Sequence, residues 1–349
     1  MIERLAETIR TAASKGEALY VRGGDTKRFY GHAVEAQPLD VRSYSGVVDY
    51  EPSELVITVR AGTPLEEVER TLAERNQMLA FEPPRFAPGG TIGGAVASGL
   101  SGPRRQAVGA VRDFVLGVRM LDGRGNDLRF GGRVMKNVAG YDVSRLMAGA
   151  LGTLGVLTEI SLKVLPRPAA EATLRFEMPE AVAIQTINTW LARPLPISAS
   201  AWQDGELLVR LSGARVAVES ACARLGGERV DDAEDYWRSV RDHTAAFFRT
   251  DEPLWRVSVP STAKPLELPG AQFIEWGGAL RWLVTEADAR TVRAAAEARG
   301  GHATLFRGGD GQTPVFHPLP PVAMDIHRRL KREFDPHGIL NPGRMYKEL

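Results

Sequence analysis

Cysteine is nearly absent: the 349-residue chain has one, Cys222. A lone thiol excludes an intrachain disulfide, a zinc ribbon and a four-thiolate iron–sulfur cluster. Any electrons the protein handles must therefore pass through an organic cofactor and leave to another molecule. An excess of one charge is also missing, since 44 Lys+Arg face 43 Asp+Glu for a net charge of +1. That balance gives no basic footprint for nucleic acid and no polybasic membrane anchor. Long apolar runs are missing too. The richest, at 146–157, is broken by three glycines and falls short of the ~20 residues that span a bilayer. Residues 1–20 lack the apolar stretch of a signal peptide, and their acids argue against a transit peptide. The expected location is the cytoplasm, with any membrane association through a partner. Two nucleotide signatures are absent as well: no G-x-x-x-x-G-K-[ST], and no G-x-G-x-x-G after a strand.

What is present reads as a soluble two-domain protein, 44% hydrophobic and 25% charged. Ile2, Leu5, Ile9 and Ala12 recur at helical spacing among Glu3, Arg4, Glu7 and Arg10, which predicts an amphipathic surface helix. The first half then alternates short strands and helices. Strands are expected at 17–21, 55–60, 115–121, 126–130 and 154–165, with a hairpin turn at 122–125. Thr63 as N-cap, Pro64 at the first helical position and Glu66 predict a helix over 65–75. Pro166 and Pro168 mark a boundary. Beyond it the pattern gives strands at 172–176, 206–211, 255–259, 280–284 and 303–306, and helices at 179–191, 214–225, 287–299 and 322–334. The fold class is α+β, the second domain being an antiparallel sheet covered by helices.

Glycine is the abundant residue. Twenty-two of the 36 lie at or before Gly155. They gather in three clusters: Arg22, Gly23, Gly24, Asp25, Thr26 and Lys27 after a strand; Pro88, Gly89, Gly90, Thr91, Gly93, Gly94, Ser98, Gly99 and Gly102; and a third running from Lys136, Gly140, Tyr141 and Asp142 to Gly152, Thr153, Gly155, Val156 and Leu157. Glycine lets a ligand approach backbone N–H groups closely, and successive N–H groups form a nest for anions. Six glycines between Gly89 and Gly102 are costly in a helix or strand for its own sake, at roughly 1 kcal/mol each against alanine. An extended diphosphate lying on that backbone explains them; tight turns and close packing are the plainer alternative.

In order and spacing, the three clusters resemble the FAD-binding domain of the vanillyl-alcohol oxidase and p-cresol methylhydroxylase superfamily. The tail Phe-Asp-Pro-His-Gly-Ile-Leu-Asn-Pro-Gly-Arg at 334–344 resembles the C-terminal signature of its D-lactate dehydrogenase and glycolate oxidase branch. Within that branch, the short length, residues 136–142 and the run Gly-His-Ala-Thr-Leu-Phe-Arg at 301–307 are similar to the family of FAD-binding E subunits of bacterial glycolate oxidase.

The resemblance implies an FAD-binding domain over 1–167, a cap domain over 168–320, and a helix and tail over 321–349 that return to the flavin. It assigns Arg22 to Lys27 and Pro88 to Gly94 to the pyrophosphate, Ser98, Gly99 and Gly102 to the flavin vicinity, and residues 152–157 to the adenosine side. Gly140, Tyr141 and Asp142 belong near the flavin or ribityl chain, and Asn341 approaches the ring from the tail; Lys136 reads as a solvated lysine. Relatives that attach FAD covalently use a histidine in the first loop; none stands at 23–26, so non-covalent FAD is expected. Catalytic relatives carry two histidines around Gly-Asp-Gly-Asn as a metal site. Here His302, a Gly-Gly-Asp-Gly-Gln run at 308–312 and His317 do not keep that spacing, so no metal is expected. His302 and His317 remain weak candidates for a base, and Arg307 for a carboxylate clamp. The implied partners are a larger FAD subunit, which carries the substrate chemistry, and an iron–sulfur subunit. The alternatives are a self-sufficient FAD-dependent dehydrogenase of D-lactate or another 2-hydroxy acid, and an assembly subunit with structural FAD. The six tryptophans read as core or interface aromatics without basic interleaving, Cys222 as a buried small residue, and the basic run at 327–332 as a helix face that is solvated or docks an acidic partner.

Overall fold

The amphipathic N-terminal pattern forms helix Ile2–Lys15, which buries Leu5, Ala6, Ile9 and Ala12 and ends at Gly16 in the left-handed conformation. It opens the computed structural model, which describes residues 1–132 and 141–349. The chain divides into two units. Met1–Leu100, Ala110–Pro166 and Pro318–Leu349 form the first; Ser101–Gly109 and Arg167–His317 form the second.

The first unit holds a parallel pair, β1 (Leu19–Arg22) and β2 (Gln37–Asp40). It also holds an antiparallel five-stranded sheet of β3 (Val47–Glu51), β4 (Val56–Arg60), β6 (Val115–Leu121), β7 (Asp127–Gly131) and β8 (Val156–Lys163), in the order β3-β4-β8-β6-β7. A short pair, β5 (Gln77–Met78) and β9 (Leu165–Pro166), closes one side. Leu5, Ile9, Leu19, Leu39, Leu121, Val156, Ile339 and Leu340 form one cluster, so the tail completes a core begun by the first helix. The helix after β4 is Leu65–Ala73, and its N-cap is Pro64 rather than Thr63. The Thr63 hydroxyl is spent elsewhere, accepting from the Gly46 N–H at 2.9 Å and donating to the Arg60 carbonyl at 2.6 Å.

The second unit is built on eight antiparallel strands: β10 (Ala170–Glu177), β11 (Ile197–Gln203), β12 (Glu206–Gly213), β13 (Glu228–Val230), β14 (Leu254–Ser258), β15 (Ala271–Glu275), β16 (Leu280–Val284) and β17 (His302–Arg307). Their order is β13-β10-β12-β11-β15-β16-β14-β17. Helix Glu180–Leu191 packs on β11, Arg215–Leu225 on β10 and β12, and Ala289–Glu297 on β17. Asp288 caps the last of these by accepting from the Arg290 and Thr291 N–H groups.

Three side-chain expectations are corrected. Lys331, within the basic run of helix Pro321–Phe334, is buried. Cys222 is only half-buried, at the margin of a core cluster. The tryptophans do meet basic groups: Arg210 lies 5.1 Å over Trp237, Arg293 lies 5.6 Å over Trp255, and Arg105 and Arg256 lie 4.1 and 5.3 Å over Trp276. These pairs form between elements distant in sequence, which a linear scan does not register. Trp237, Trp255, Trp276 and Trp282 are buried, as expected for core aromatics.

Candidate functional site

Strand β1 ends at Arg22, and the chain turns into Gly23, Gly24 and Asp25, the last at φ 61°. The N–H groups of Gly23, Gly24, Asp25 and Thr26 have no acceptor among the described residues. Glycine is required at the second of these positions. A methyl group on Gly24 would lie 1.8 Å from the Gly89 carbonyl oxygen, so the first two clusters touch backbone to backbone. The Tyr20 hydroxyl donates to the Asp25 carboxylate, and burial together with this bond pushes the Tyr20 phenol up to about 12.

The second cluster opens helix Ile92–Ser98, where the Thr91 hydroxyl accepts from the Gly94 N–H at 3.2 Å. The Ile92 and Gly93 N–H groups donate to the Thr63 and Ala61 carbonyls. The Ile92, Gly93 and Gly94 amides are thereby occupied, whereas the Thr91 N–H, like those of the first loop, has no acceptor among the described residues. The third cluster docks on the same helix: the Gly149 and Leu151 N–H groups donate to the Val96 and Ala97 carbonyls. Asn341 then joins the walls. Its Oδ1 accepts from the Val21 N–H at 2.8 Å and its Nδ2 donates to the Leu151 carbonyl at 2.7 Å. Leu151 and Asn341, like Asp25, hold positive φ, at 52° and 44°.

These segments enclose one cleft within the first unit. Its polar part is lined by Tyr20, Gly23, Gly24, Asp25, Thr26, Lys27, Arg28, Ser98 and Arg344. Its apolar part is lined by Val41, Ala61, Met147, Ala150 and Leu157, with Gly93, Gly152 and Gly155. Val21, Gly23, Gly94, Ala97, Leu151 and Asn341 line both. Free amides with a lysine at one end and an apolar slot at the other suit a molecule that joins a diphosphate to flat aromatic rings.

Thirteen of the sequence-predicted cofactor residues line this cleft: Gly23, Gly24, Asp25, Thr26, Lys27, Thr91, Gly93, Gly94, Ser98, Gly152, Gly155, Leu157 and Asn341. Others back it. Arg22 pairs with Asp40 at 2.7 Å, Gly90 lies against Thr26, whose hydroxyl a methyl there would meet at 3.1 Å, and Gly99 packs on Gly149. Gly89 meets Gly24, and Pro88 beside it is exposed. Thr153 and Val156 are buried behind the wall. Some lie elsewhere. Tyr141 is 95% exposed, and the Asp142 carboxylate is engaged in capping helix Val143–Leu146. Gly102 belongs to the second unit, its carbonyl accepting from Trp276 Nε1 at 3.1 Å. Gly140 and Lys136 lie outside the described residues. His302, Arg307 and His317 are all in the second unit. His317 Nδ1 accepts from the Ala303 N–H at 3.3 Å and its Nε2 lies 3.0 Å from Glu297. The His302 ring centroid is 6.3 Å from that of His317, and burial holds the His302 imidazole below its ordinary value. Arg307 reaches the Phe248 carbonyl at 3.4 Å.

Sequence reasoning missed Tyr20, Val21, Arg28, Val41, Ala61, Ala97, Met147, Ala150, Leu151 and Arg344. Arg344 stands within the tail signature, but its work is done against backbone: its guanidinium donates to the carbonyls of Lys27, Arg28, Tyr30 and His32.

Comparison with known proteins agrees with this geometry. A family model described as an FAD binding domain matches residues 1–131, and one described as the C-terminal domain of FAD linked oxidases matches residues 318–345. The chain is 49% identical to glycolate oxidase subunit GlcE of Escherichia coli (strain K12), over 99% of this chain and 98% of that protein. The chain belongs to the GlcE family. Its cofactor is FAD, and the cleft fits it, with open amides for the diphosphate and an apolar slot for the rings. Glycolate oxidase subunit GlcD of Bacillus subtilis (strain 168) is 29% identical over 50% of this GlcE-family chain and 37% of its own length. The fold is that of p-cresol methylhydroxylase, whose substrate-bound crystal structure superposes with a TM-score of 0.70 at 14% identity, over 99% of this chain and 87% of that one. Among the described residues, no helix is long and apolar enough to cross a membrane.

Proposed function

We propose that this chain is the FAD-holding subunit of a glycolate oxidase, that it works on the oxidation of glycolate to glyoxylate, and that it exchanges electrons with partner subunits. The identity to GlcE along essentially the whole chain carries the reading. FAD, when bound, supplies the acceptor for the electron pair released as the C–H bond beside the hydroxyl breaks. The protein's own part is to hold and shield. The amides of Gly23, Gly24, Asp25 and Thr26, with Lys27, bind the diphosphate, and Val41, Ala61, Met147, Ala150 and Leu157 exclude water from the ring slot. With no histidine in the first loop, the attachment is non-covalent.

The partners we propose are a larger flavin subunit bearing the substrate base and an iron–sulfur subunit. Two observations support them. One cysteine cannot ligate a cluster that needs four thiolates, so electrons leaving the flavin pass to another molecule, which a cluster-bearing subunit would supply. The ionisable side chains lining the cleft are Tyr20, Asp25, Lys27, Arg28 and Arg344, and the two that suit proton abstraction, Tyr20 and Asp25, are bonded to each other. His317 has both ring nitrogens engaged.

Rapid mixing of the purified, FAD-loaded chain with glycolate and with D-lactate tests the reading. The flavin absorbance is expected to persist until the partner subunits are added and then to bleach. Bleaching by the single chain at turnover speed would make it a self-sufficient dehydrogenase, and a flavin that stays oxidised in the active complex would make it structural.

A further inference from the structure

The run His-Arg-Arg-Leu-Lys-Arg at 327–332 is the one strongly basic stretch in the chain, and its members have different fates. Arg328, Arg329 and Arg332 are exposed, whereas Lys331 is 6% exposed. A buried ammonium is stable only when its three donors are satisfied. Lys331 Nζ donates to the Thr153 carbonyl at 2.8 Å, to the Leu340 carbonyl at 2.7 Å and to the Asp335 carboxylate at 2.7 Å. Asp335, 1% exposed, also accepts from the Ile339 N–H at 3.2 Å and the Leu340 N–H at 2.8 Å. The pair thus ties together the wall segment that contains Gly152 and Gly155 and the turn that delivers Leu340. The next residue is Asn341, which bonds Val21 on one side of the cleft and Leu151 on the other.

We propose that Lys331 and Asp335 are positioning residues for the cofactor, holding the tail so that Asn341 fixes the separation of the two cleft walls and retains FAD. The proposal rests on the cleft being the FAD site. Removing Lys331 leaves the Thr153 and Leu340 carbonyls unpaired and the Asp335 carboxylate without its counter-charge, and removing the Asp335 charge leaves the Lys331 ammonium buried without one. The turn then relaxes, Asn341 shifts with Leu340, and the walls lose their spacing.

The test compares four variants of the full chain by FAD dissociation constant, visible circular dichroism of the bound flavin, and Tm. Lys331→Met and Asp335→Asn are expected to weaken FAD binding about tenfold or more and to change the flavin dichroism. Lys331→Arg, which keeps charge and donors, recovers part of the affinity. Leu72→Ala, in the buried face of helix Leu65–Ala73 that packs on β5, lowers Tm but leaves FAD affinity and dichroism unchanged. The proposal is overturned if Lys331→Met and Asp335→Asn bind FAD like the wild type, or if their losses follow Tm on the same line as Leu72→Ala. Should Lys331→Met be insoluble, Asp335→Asn decides. A fifth variant separates the two readings. Gly24→Ala losing FAD while the pair variants keep it would sink the latch alone, and Gly24→Ala also keeping it would sink the cleft.

Discussion

Gly24 has no room for a side chain. Alanine there must push the Gly89 carbonyl away, because its methyl would sit 1.8 Å from that oxygen. We expect Gly24→Ala to cost about 1–3 kcal/mol of stability, the usual range for overpacking, and to empty most of the flavin from the purified protein. The ratio of flavin to protein absorbance measures this, and a fully loaded Gly24→Ala protein would refute it. Glycines of this kind were legible in the sequence because the residue type itself announces close backbone approach. Tyr20, Arg344 and Lys331 were not. Polar and charged residues read as solvent-facing until tertiary structure supplies a buried partner, here the Asp25 carboxylate for Tyr20 and backbone carbonyls for the two cations.

The loop after the first glycine cluster shows how an irregular element is held without a ladder. Residues 27–32 offer four carbonyls, and the Arg344 guanidinium takes them at 3.3, 3.1, 2.9 and 3.1 Å. Gly31, at φ 96°, permits the approach, since a methyl there would meet the Arg344 carbonyl oxygen at 2.9 Å. Lysine is no substitute for this fork. Arg344→Lys is expected to lower stability by about 2–3 kcal/mol and to expose the loop to protease, with thermal unfolding and limited digestion as the measurements. Regular elements were largely legible, because apolar periodicity and turn residues survive in one dimension. Strand β11 was missed because its sequence is rich in serine and alanine, which are poor strand signals. Ser198 and Ser200 are buried there, and each has a side-chain partner: Ser198 meets Ser212 Oγ at 2.6 Å and Ser200 meets Gln106 Oε1 at 2.7 Å. The one-residue error at Thr63 has the same origin, a hydroxyl captured by neighbours the sequence does not place beside it.

Across the whole chain, the FAD-binding unit is discontinuous: Pro318–Leu349 rejoins Met1–Leu100 and Ala110–Pro166 after Arg167–His317 has formed part of the other unit. Truncation after His317 removes Ile339 and Leu340 from the cluster around Leu5, Leu19 and Leu121, and Asn341 from the cleft. The truncated protein is expected to bind the hydrophobic dye ANS, to lose FAD and to aggregate. A soluble, flavin-loaded truncation would contradict that.

The same arrangement sets the order of events during synthesis. Asn341 follows its partner Val21 by 320 positions, so a nascent chain carries the glycine loops long before it has the residue that joins them. Such distant closure is slow and leaves apolar surface uncovered in the meantime. The cleft is therefore complete only after the second unit has been translated. A cell starved of flavin would accumulate complete chains awaiting FAD rather than stalled ones.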